Sequence, residues 1–226
     1  MKKLLFIFVS FFILSCEIEY DGETKLVVKG KVILENNLPL ENQEIKLFVT
    51  RESFSIPFLF YVPSETNFIG TTKTNSWGEY TMVIPKPVAN YNEIILELNS
   101  NTIYNKKQIR NIDTNDFSNF EINIPATKLY QLTNLSSLSV NLNQVNPTYQ
   151  FIKINYVGEY TNEVSFFKPV DDENYVLYYD LFQLVKKNQE LIIQWEVKDL
   201  ITNTILTFED IVIIDEADFI EYTLNY

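Results

Sequence analysis

The sequence of 226 residues contains no histidine and a single cysteine. Without histidine, a Ser-His-Asp triad, a Cys-His dyad and a histidine-bearing zinc site cannot form, and one cysteine cannot make an intrachain disulfide. Glycine is also scarce, with 5 residues, and no glycine-rich phosphate-binding motif occurs. Composition therefore excludes most of the common catalytic arrangements, and we expect a non-catalytic protein with no metal and no other cofactor.

Positive charge is in short supply as well. The chain has 18 Lys and Arg against 30 Asp and Glu, a net charge of −12, and its basic residues are scattered. Nucleic-acid binding needs a basic stripe that neutralises phosphates, so we expect no nucleic-acid partner. The acidity itself is typical of a soluble surface.

The first fifteen residues have the pattern of an export signal. Lys2 and Lys3 precede an apolar run over residues 4–14, which Ser15 follows. This run is too short to cross a hydrocarbon core, which needs about 20 residues, so a retained transmembrane helix is the weaker interpretation. We predict that residues 1–15 are a cleaved signal peptide.

The cysteine comes directly after this signal. The sequence Ile13-Leu14-Ser15-Cys16 resembles a bacterial lipobox, although Leu14 stands where a smaller residue is more common. The resemblance implies that Cys16 is lipidated and becomes the new N-terminus. Acyl chains contribute about 0.8 kcal/mol per buried CH₂ and would anchor the protein to a membrane. The alternative is an ordinary buried free cysteine.

Residues 16–23 form an acidic segment behind the lipidation site. The segment contains Glu17, Glu19, Asp21 and Glu23. It resembles the short acidic tethers that direct some Gram-negative lipoproteins to the outer cell surface. We therefore expect an outer-membrane lipoprotein displayed at the cell surface, with a periplasm-facing location and a plain flexible linker as the alternatives.

Beyond the tether, the sequence follows the two-residue period of half-buried β-strands. Leu26, Val28, Val32 and Leu34 alternate with polar residues, and similar short segments separated by turn residues continue to the C-terminus. A break at residues 125–127 divides them, so we predict an all-β fold of two tandem β-sandwiches, residues 24–126 and 127–226. The exception is residues 180–187, where apolar residues at helical spacing predict a short helix.

The first half carries a family resemblance as well. It contains the motif V-x-G-x-V, a polar turn, P-L and I-x-L, followed by G-T-T-x-T-N-S-x-G-E-Y. This part of the sequence resembles carboxypeptidase regulatory-like, transthyretin-type modules. The matching positions are Val28, Gly30, Val32, Pro39, Leu40, Ile45, Leu47, Gly70, Thr74, Asn75, Gly78 and Tyr80. The resemblance implies a β-sandwich that supports or connects other domains and has no peptidase activity. Residues 127–226 resemble no family.

Carboxylates occur in several clusters that keep an enzymatic alternative open. These are Asp113 with Asp116, Asp171-Asp172-Glu173, Glu209-Asp210 and Asp215-Glu216 with Asp218. A glycan-acting enzyme needs two carboxyl groups about 5 to 10 Å apart, and any two clusters could supply them. Such runs are more typical of solvated loops and edge strands, and no calcium-binding loop motif accompanies them.

Two aromatic features are candidates for ligand contact. Trp77 lies in the turn 75–78 and is either exposed, where it could stack on a sugar ring, or folded back over a sheet edge. Trp195 lies on the apolar side of an alternating segment, so we expect it in the core.

The densest apolar run lies between two predicted strands. It comprises Phe54, Ile56, Phe58, Leu59, Phe60, Tyr61 and Val62, with Pro57 and Pro63 at its borders. The run is either an extra buried strand or plug, or an exposed patch that contacts a partner. We predict that it is the partner interface.

These observations favour a lipid-anchored, non-catalytic binding or assembly module of a Gram-negative cell envelope. Its expected partners are the membrane, through the lipid, and an envelope protein or glycan. The alternatives are a carboxylate-dependent glycan-acting enzyme and a fimbrial or adhesive subunit.

Overall fold

The structure, a computed structural model, describes residues 18–51, 54–56, 60–62, 64–88, 92–98, 102–168 and 181–226. Strands account for almost all of its regular structure, which confirms the predicted all-β class. Two short 3-10 turns, Thr114–Asp116 and Leu132–Asn134, interrupt the strands. No helix among the described residues is long and apolar enough to span a membrane.

The strands fall into two groups along the chain. The first comprises β1 Tyr20–Leu34, β2 Glu44–Arg51, β3 Phe54–Ile56, β4 Phe60–Val62, β5 Glu65–Lys73, β6 Glu79–Pro87, β7 Asn92–Leu98, β8 Lys107–Ile112, β9 Glu121–Asn123 and β10 Thr127–Leu129. The second comprises β11 Leu135–Asn143, β12 Tyr149–Val157, β13 Tyr160–Thr161, β14 Val164–Phe166, β15 Phe182–Lys186, β16 Gln189–Asp199, β17 Thr204–Ile214 and β18 Phe219–Asn225.

The first sandwich consists of a four-stranded and a five-stranded sheet. In the four-stranded sheet β1 is central, with β6 antiparallel on one side and both β9 and β10 parallel on the other. The five-stranded sheet has the order β14-β8-β7-β2-β5. Val28 of β1, Leu47 of β2 and Leu96 of β7 are fully buried in one core cluster, so the two sheets pack face to face.

The second sandwich is smaller. Its sheets have the orders β13-β15-β11-β18 and β12-β16-β17. Val185 and Ile193, one from each sheet, are fully buried in a second core cluster. Trp195 lies in this core with 8% of its surface exposed, as the sequence predicts, and its ring stacks on Phe208 with centroids 5.8 Å apart.

The residue alternation read from the sequence is confirmed in the central strands. Ile45, Leu47 and Val49 of β2 are all completely buried, while the residues between them are partly exposed. Gly30 of β1 lies opposite Tyr80 of β6, and a Cβ at position 30 would collide with the Tyr80 ring. This close approach explains why a glycine occupies the middle of a strand.

The predicted helix at residues 180–187 is wrong, because β15 occupies residues 182–186. Gln183 and Val185 are buried, and the alternate residues of the strand are not, which is a period of two. β15 pairs antiparallel with β11. Leu184 and Val185 have helical spacing from Leu181 only by coincidence, and pairing with a neighbouring strand decides the conformation.

Two short strands beyond the predicted boundary at residues 125–127 belong to the sheets of the first sandwich. β10 pairs in parallel with the end of β1, and β14 pairs in parallel with β8. The first core cluster accordingly extends to Leu129, and the second begins at Leu138. The independent folding of residues 24–126 and 127–226 stays a prediction.

Candidate binding surface at an open sheet edge

Strand β17 is a long edge strand of the second sandwich. All 11 of its residues pair with β16 in one antiparallel hairpin, from Thr204 opposite Asp199 to Ile214 opposite Gln189. On its other side, no strand within the described part of the chain is paired with it. An edge of this length offers a row of backbone donors and acceptors to an incoming strand.

Three exposed isoleucines lie on the outer face of β17, on either side of Thr207 and Glu209. Ile205, Ile211 and Ile213 are 61%, 57% and 62% exposed. Ile211 lies opposite Ile192 of β16, which in turn lies opposite Val157 of β12, so these three side chains form a row across the sheet. Exposed aliphatic side chains next to an open edge are the usual features of a strand-pairing site.

Few protective features guard this edge. Strand β17 contains no Lys, Arg or Pro, and the charged residues that could protect this edge against strand addition are confined to Glu209 and Asp210. The backbone N–H of Ile211 does donate to Asp210 Oδ1 at 2.8 Å, so one edge donor already has a partner. The rest of the strand has the length and composition to pair with a further strand.

The surroundings of the edge are strongly acidic. Residues 204–226 contain six acidic residues and no Lys or Arg. Tyr222 of β18 donates to Asp210 Oδ2 at 2.5 Å, and burial, this hydrogen bond and the carboxylate charge together raise the pKa of Tyr222 to about 12. Tyr222 therefore stays neutral at physiological pH and can donate this hydrogen bond.

Lys187 supplies a neighbouring positive charge, which Asp218 binds. Its Nζ lies 2.6 Å from Asp218 Oδ1, and this hydrogen bond lowers the pKa of Asp218. Glu216 accepts a hydrogen bond from the neutral amide of Asn188 at 2.7 Å. The acidic residues around β17 therefore give this side of the sandwich a net negative charge.

The predicted cluster of Asp113 and Asp116 lies elsewhere, in the first sandwich. Both carboxylates bind Lys168 Nζ, and Asp113 also caps the turn Thr114–Asp116. Partial burial would raise the pKa of Asp113, but the hydrogen bonds from Lys168 and Asn115 outweigh it and lower that pKa. A general acid needs a raised pKa, so this pair has the character of a structural ion pair.

The remaining acidic clusters provide no further evidence for an enzymatic site. Asp171-Asp172-Glu173 lies outside the described residues. Within the described ranges, no group of three or more His, Cys, Asp or Glu side chains is placed to hold a metal ion. The carboxylate-dependent enzyme stays an untested alternative.

Trp77 lies at the tip of the β5–β6 turn with 69% of its surface exposed. The Asn75 side chain accepts from the backbone N–H groups of Trp77 and Glu79, both at 2.9 Å, and Gly78 adopts a positive φ of 74°. The turn is thus locally fixed and presents the indole to solvent. Its role as a ligand contact stays a prediction.

The other predicted site residues are only partly within the described chain. Cys16 lies outside it. In the apolar run, the backbones of Phe54–Ile56 and Phe60–Val62 form the two-stranded hairpin β3–β4, and residues 57–59 lie outside the described residues. The predicted interface at Phe54, Ile56, Phe58, Leu59, Phe60, Tyr61 and Val62 therefore remains untested.

The sequence contains a signal for the β17 edge that the strand prediction missed. Alternation continues through Ile211 and Ile213, but Glu209-Asp210 has the composition of a solvated loop. In the structure these two acids lie within the strand itself. Exposed isoleucines on both sides of an acidic pair are the feature that would have identified an edge.

No family model and no curated protein matches the chain. Among solved structures, it is 12% identical to the 3-chlorocatechol 1,2-dioxygenase of Rhodococcus opacus 1CP, over 51% of this chain and 62% of that chain, with a TM-score of 0.32. It is 9% identical to the shaft pilin SpaA of Lactobacillus rhamnosus GG, over 89% and 97%, with a TM-score of 0.34. The Bacillus anthracis TIE protein is 11% identical over 89% and 34%, also at 0.34. Sequence identities and TM-scores this low support no conclusion about function.

Proposed function

We propose that this chain is a lipid-anchored, non-catalytic assembly module of the cell envelope that binds an extended segment of another protein by strand addition to β17. The observation that carries the proposal is the open 11-residue edge with its exposed isoleucines. Backbone hydrogen bonds along such an edge supply affinity, and alternate side chains supply specificity.

Charge favours a particular kind of partner segment. Because six acids and no basic residue lie between positions 204 and 226, the incoming strand should alternate aliphatic residues with Lys or Arg. A second copy of this chain fits less well. Full antiparallel pairing of β17 with itself places Glu209 opposite Glu209, and like charges directly opposite each other are destabilising.

The anchor belongs to the same proposal. The sequence supports a lipid on Cys16, and β1 begins at Tyr20, so only a short tether separates the lipid from the first sandwich. We further propose that the first sandwich is a carboxypeptidase regulatory-like module, since its motif residues Gly30 and Tyr80 lie directly opposite each other on β1 and β6. It would then connect the membrane anchor to the binding edge.

The test of the binding edge uses two synthetic 11-residue peptides, one alternating Ile or Val with Lys and one with Glu in place of Lys. The readout is hydrogen exchange of β17 amides in the mature protein. We expect the basic peptide to slow exchange along β17 saturably and the acidic peptide to have no effect. The double variant Glu209→Lys with Asp210→Lys should weaken the basic peptide at least tenfold.

A matched control reverses two exposed acids of the first sandwich, Glu41→Lys with Glu79→Lys, which changes the net charge equally. This control should bind the basic peptide like the wild type. If both double variants weakened peptide binding equally, the effect would depend on net charge alone, and the proposal of a binding edge at β17 would be wrong. Stable oligomers of the wild type without peptide would instead favour the fimbrial alternative.

The anchor has its own experiment. Mass analysis of the mature N-terminus should show acylated Cys16, and Cys16→Ser should leave the chain unprocessed and outside the membrane fraction. An unmodified cysteine in an uncleaved chain would remove the lipid anchor from the proposal without affecting the binding edge.

A further inference from the structure

The first sandwich contains a cavity of about 230 Å³ at the side where β14 joins β8. The cavity lies between these two strands and residues 124–128, which link β9 to β10 in the facing sheet. Ile109, Ile124 and Phe167 contribute apolar walls, and one side opens toward solvent. It therefore lies between the two sheets, a region that closely packed apolar side chains usually fill.

A lysine is among the residues that line this cavity. Lys107 is two residues from the buried Ile109 on β8, so both side chains lie on the strand face that is directed toward the other sheet. Lys107 Nζ donates to Thr161 Oγ1 at 3.2 Å. Among the described residues, no carboxylate lies within ion-pair distance of this ammonium group, and desolvation lowers the pKa of Lys107 to about 8.

The other polar groups of the cavity complement this lysine. Ser165 of β14 lies directly opposite Ile109, on the same inward face, whereas Lys128 of β10 pairs with Ile33 and alternates with the buried Thr127 and Leu129, so its side chain lies on the outer face. Thr127 adds a further hydroxyl group. No Asp or Glu is among the lining residues described, although acids outnumber bases in the chain by 30 to 18.

A lysine without an acid beside it is costly to place against apolar walls. A partly desolvated ammonium group is stabilised by an opposite charge, and the cavity provides none from the described chain. A bound anion would supply that charge, and the walls formed by Ile109, Ile124 and Phe167 would bury a hydrocarbon or aromatic group attached to it.

We propose that this cavity binds a small organic carboxylate with an apolar body. The carboxylate lies at the Lys107 end, with Ser165 as an additional hydrogen-bond donor, and the apolar body lies against Ile109 and Phe167. The volume is just under the usual range of about 300 to 1,000 Å³ for ligand pockets, so the ligand is an aromatic or medium-chain acid and not an oligosaccharide. The inference is independent of strand addition at β17.

The experiment titrates the mature protein with 4-phenylbutyrate and, separately, with its neutral amide, and follows backbone amide signals by NMR. We expect the acid to shift the signals of Ile109, Thr127 and Ser165 saturably, and the amide to bind at least tenfold more weakly. Lys107→Met should also weaken the acid at least tenfold. Lys106→Met is the matched control, because Lys106 is the exposed neighbour and lines a separate hollow with Glu97 and Glu163.

A second variant keeps the test decisive if Lys107→Met does not fold. Ser165→Ala removes the hydroxyl donor of the cavity and should weaken the acid severalfold in a protein whose thermal unfolding matches that of the wild type. Equal binding of acid and amide, unchanged binding in both cavity variants, or the absence of saturable shifts would overturn the proposal.

Discussion

Two sheet edges, one in each sandwich, differ in whether a further strand covers them. In the first, β8 would end the five-stranded sheet, but β14, a segment that follows three strands of the second sandwich in sequence, pairs along it. In the second, β17 ends its sheet with no further strand among the residues that the structure describes. The β8 side of the first sandwich is therefore covered by the other half of the chain, whereas the β17 side of the second sandwich stays open among the described strands.

The contacts at the covered edge show how firmly the halves are joined. Gln108 N donates to Glu163 O at 2.7 Å, and Phe167 N donates to Arg110 O at 2.8 Å. Phe167 also packs against the first core cluster. These bonds connect two units that the sequence suggests are separable, and they form one wall of the lysine-lined cavity. The covered edge thus borders a cavity that is open on one side, and the uncovered edge leaves a long strand accessible.

The largest expected effect comes from removing the apolar contact of the covering segment. Phe167→Asp places a charge against the first core, and we expect it to lower the free energy of unfolding by about 2 to 3 kcal/mol, the value of a large apolar side chain. Hydrogen exchange should accelerate at β8 of the first sandwich, although residue 167 lies in the second half of the chain. Urea unfolding with exchange at Ile109 measures both effects.

Phe219→Asp is the control for this prediction. Phe219 begins β18 and is 56% exposed, so the same chemical change there should alter stability by no more than about 0.5 kcal/mol. If Phe167→Asp behaved like this control, the covering strand would contribute little, and the two halves would be as separable as the sequence predicts.

A smaller effect is expected from the ion pairs at the end of the same segment. Lys168→Ala removes the bonds to Asp113 and Asp116, which are partly exposed, and should cost about 1 kcal/mol or less at pH 7. Since the pKa of Asp113 is lowered in the folded state, this contribution exists above about pH 4 and is lost as pH falls through that lower pKa. Wild type and variant should therefore converge in stability near pH 2.

The matching change in the second sandwich is Lys153→Ala, which removes a more exposed pair with Glu196 at 3.0 Å. We expect a loss of at most about 0.5 kcal/mol. A larger loss there than at Lys168 would contradict the view that the covered edge is the more strongly stabilised of the two.

Much of the fold could be predicted from residue alternation alone. The alternation in β2 and in β16, where Leu191, Ile193 and Val197 are completely buried, reflects two packed sheets and is visible in any window of the sequence. The prediction of a helix at residues 180–187 is wrong because alternation is not clear there. Its apolar spacing is ambiguous locally, and only pairing with β11 makes it a strand.

The candidate sites were harder to predict, because they depend on which strands become neighbours. Nothing near Lys107 in sequence indicates that Lys128 and Ser165 line the same cavity, since the three residues come from three different strands. The open edge of β17 likewise follows from sheet order, which alternation does not determine. Trp77 differs, since a turn motif of residues 75–78 positions it locally.

The last comparison concerns the cavity beside the covered edge. Because desolvation lowers the pKa of Lys107 to about 8, the folded protein releases that proton before the unfolded chain, whose lysines titrate near 10.4. Between these values the unfolded chain binds more protons, so stability should rise with pH. We expect an increase in the thermal midpoint from pH 7 to pH 9.5, and Lys107→Met should remove it, whereas Glu209→Lys at the open edge should not. A variant with Lys107→Met that keeps the full increase would show that the lysine is not desolvated, and the charge argument for a carboxylate ligand would lose its support.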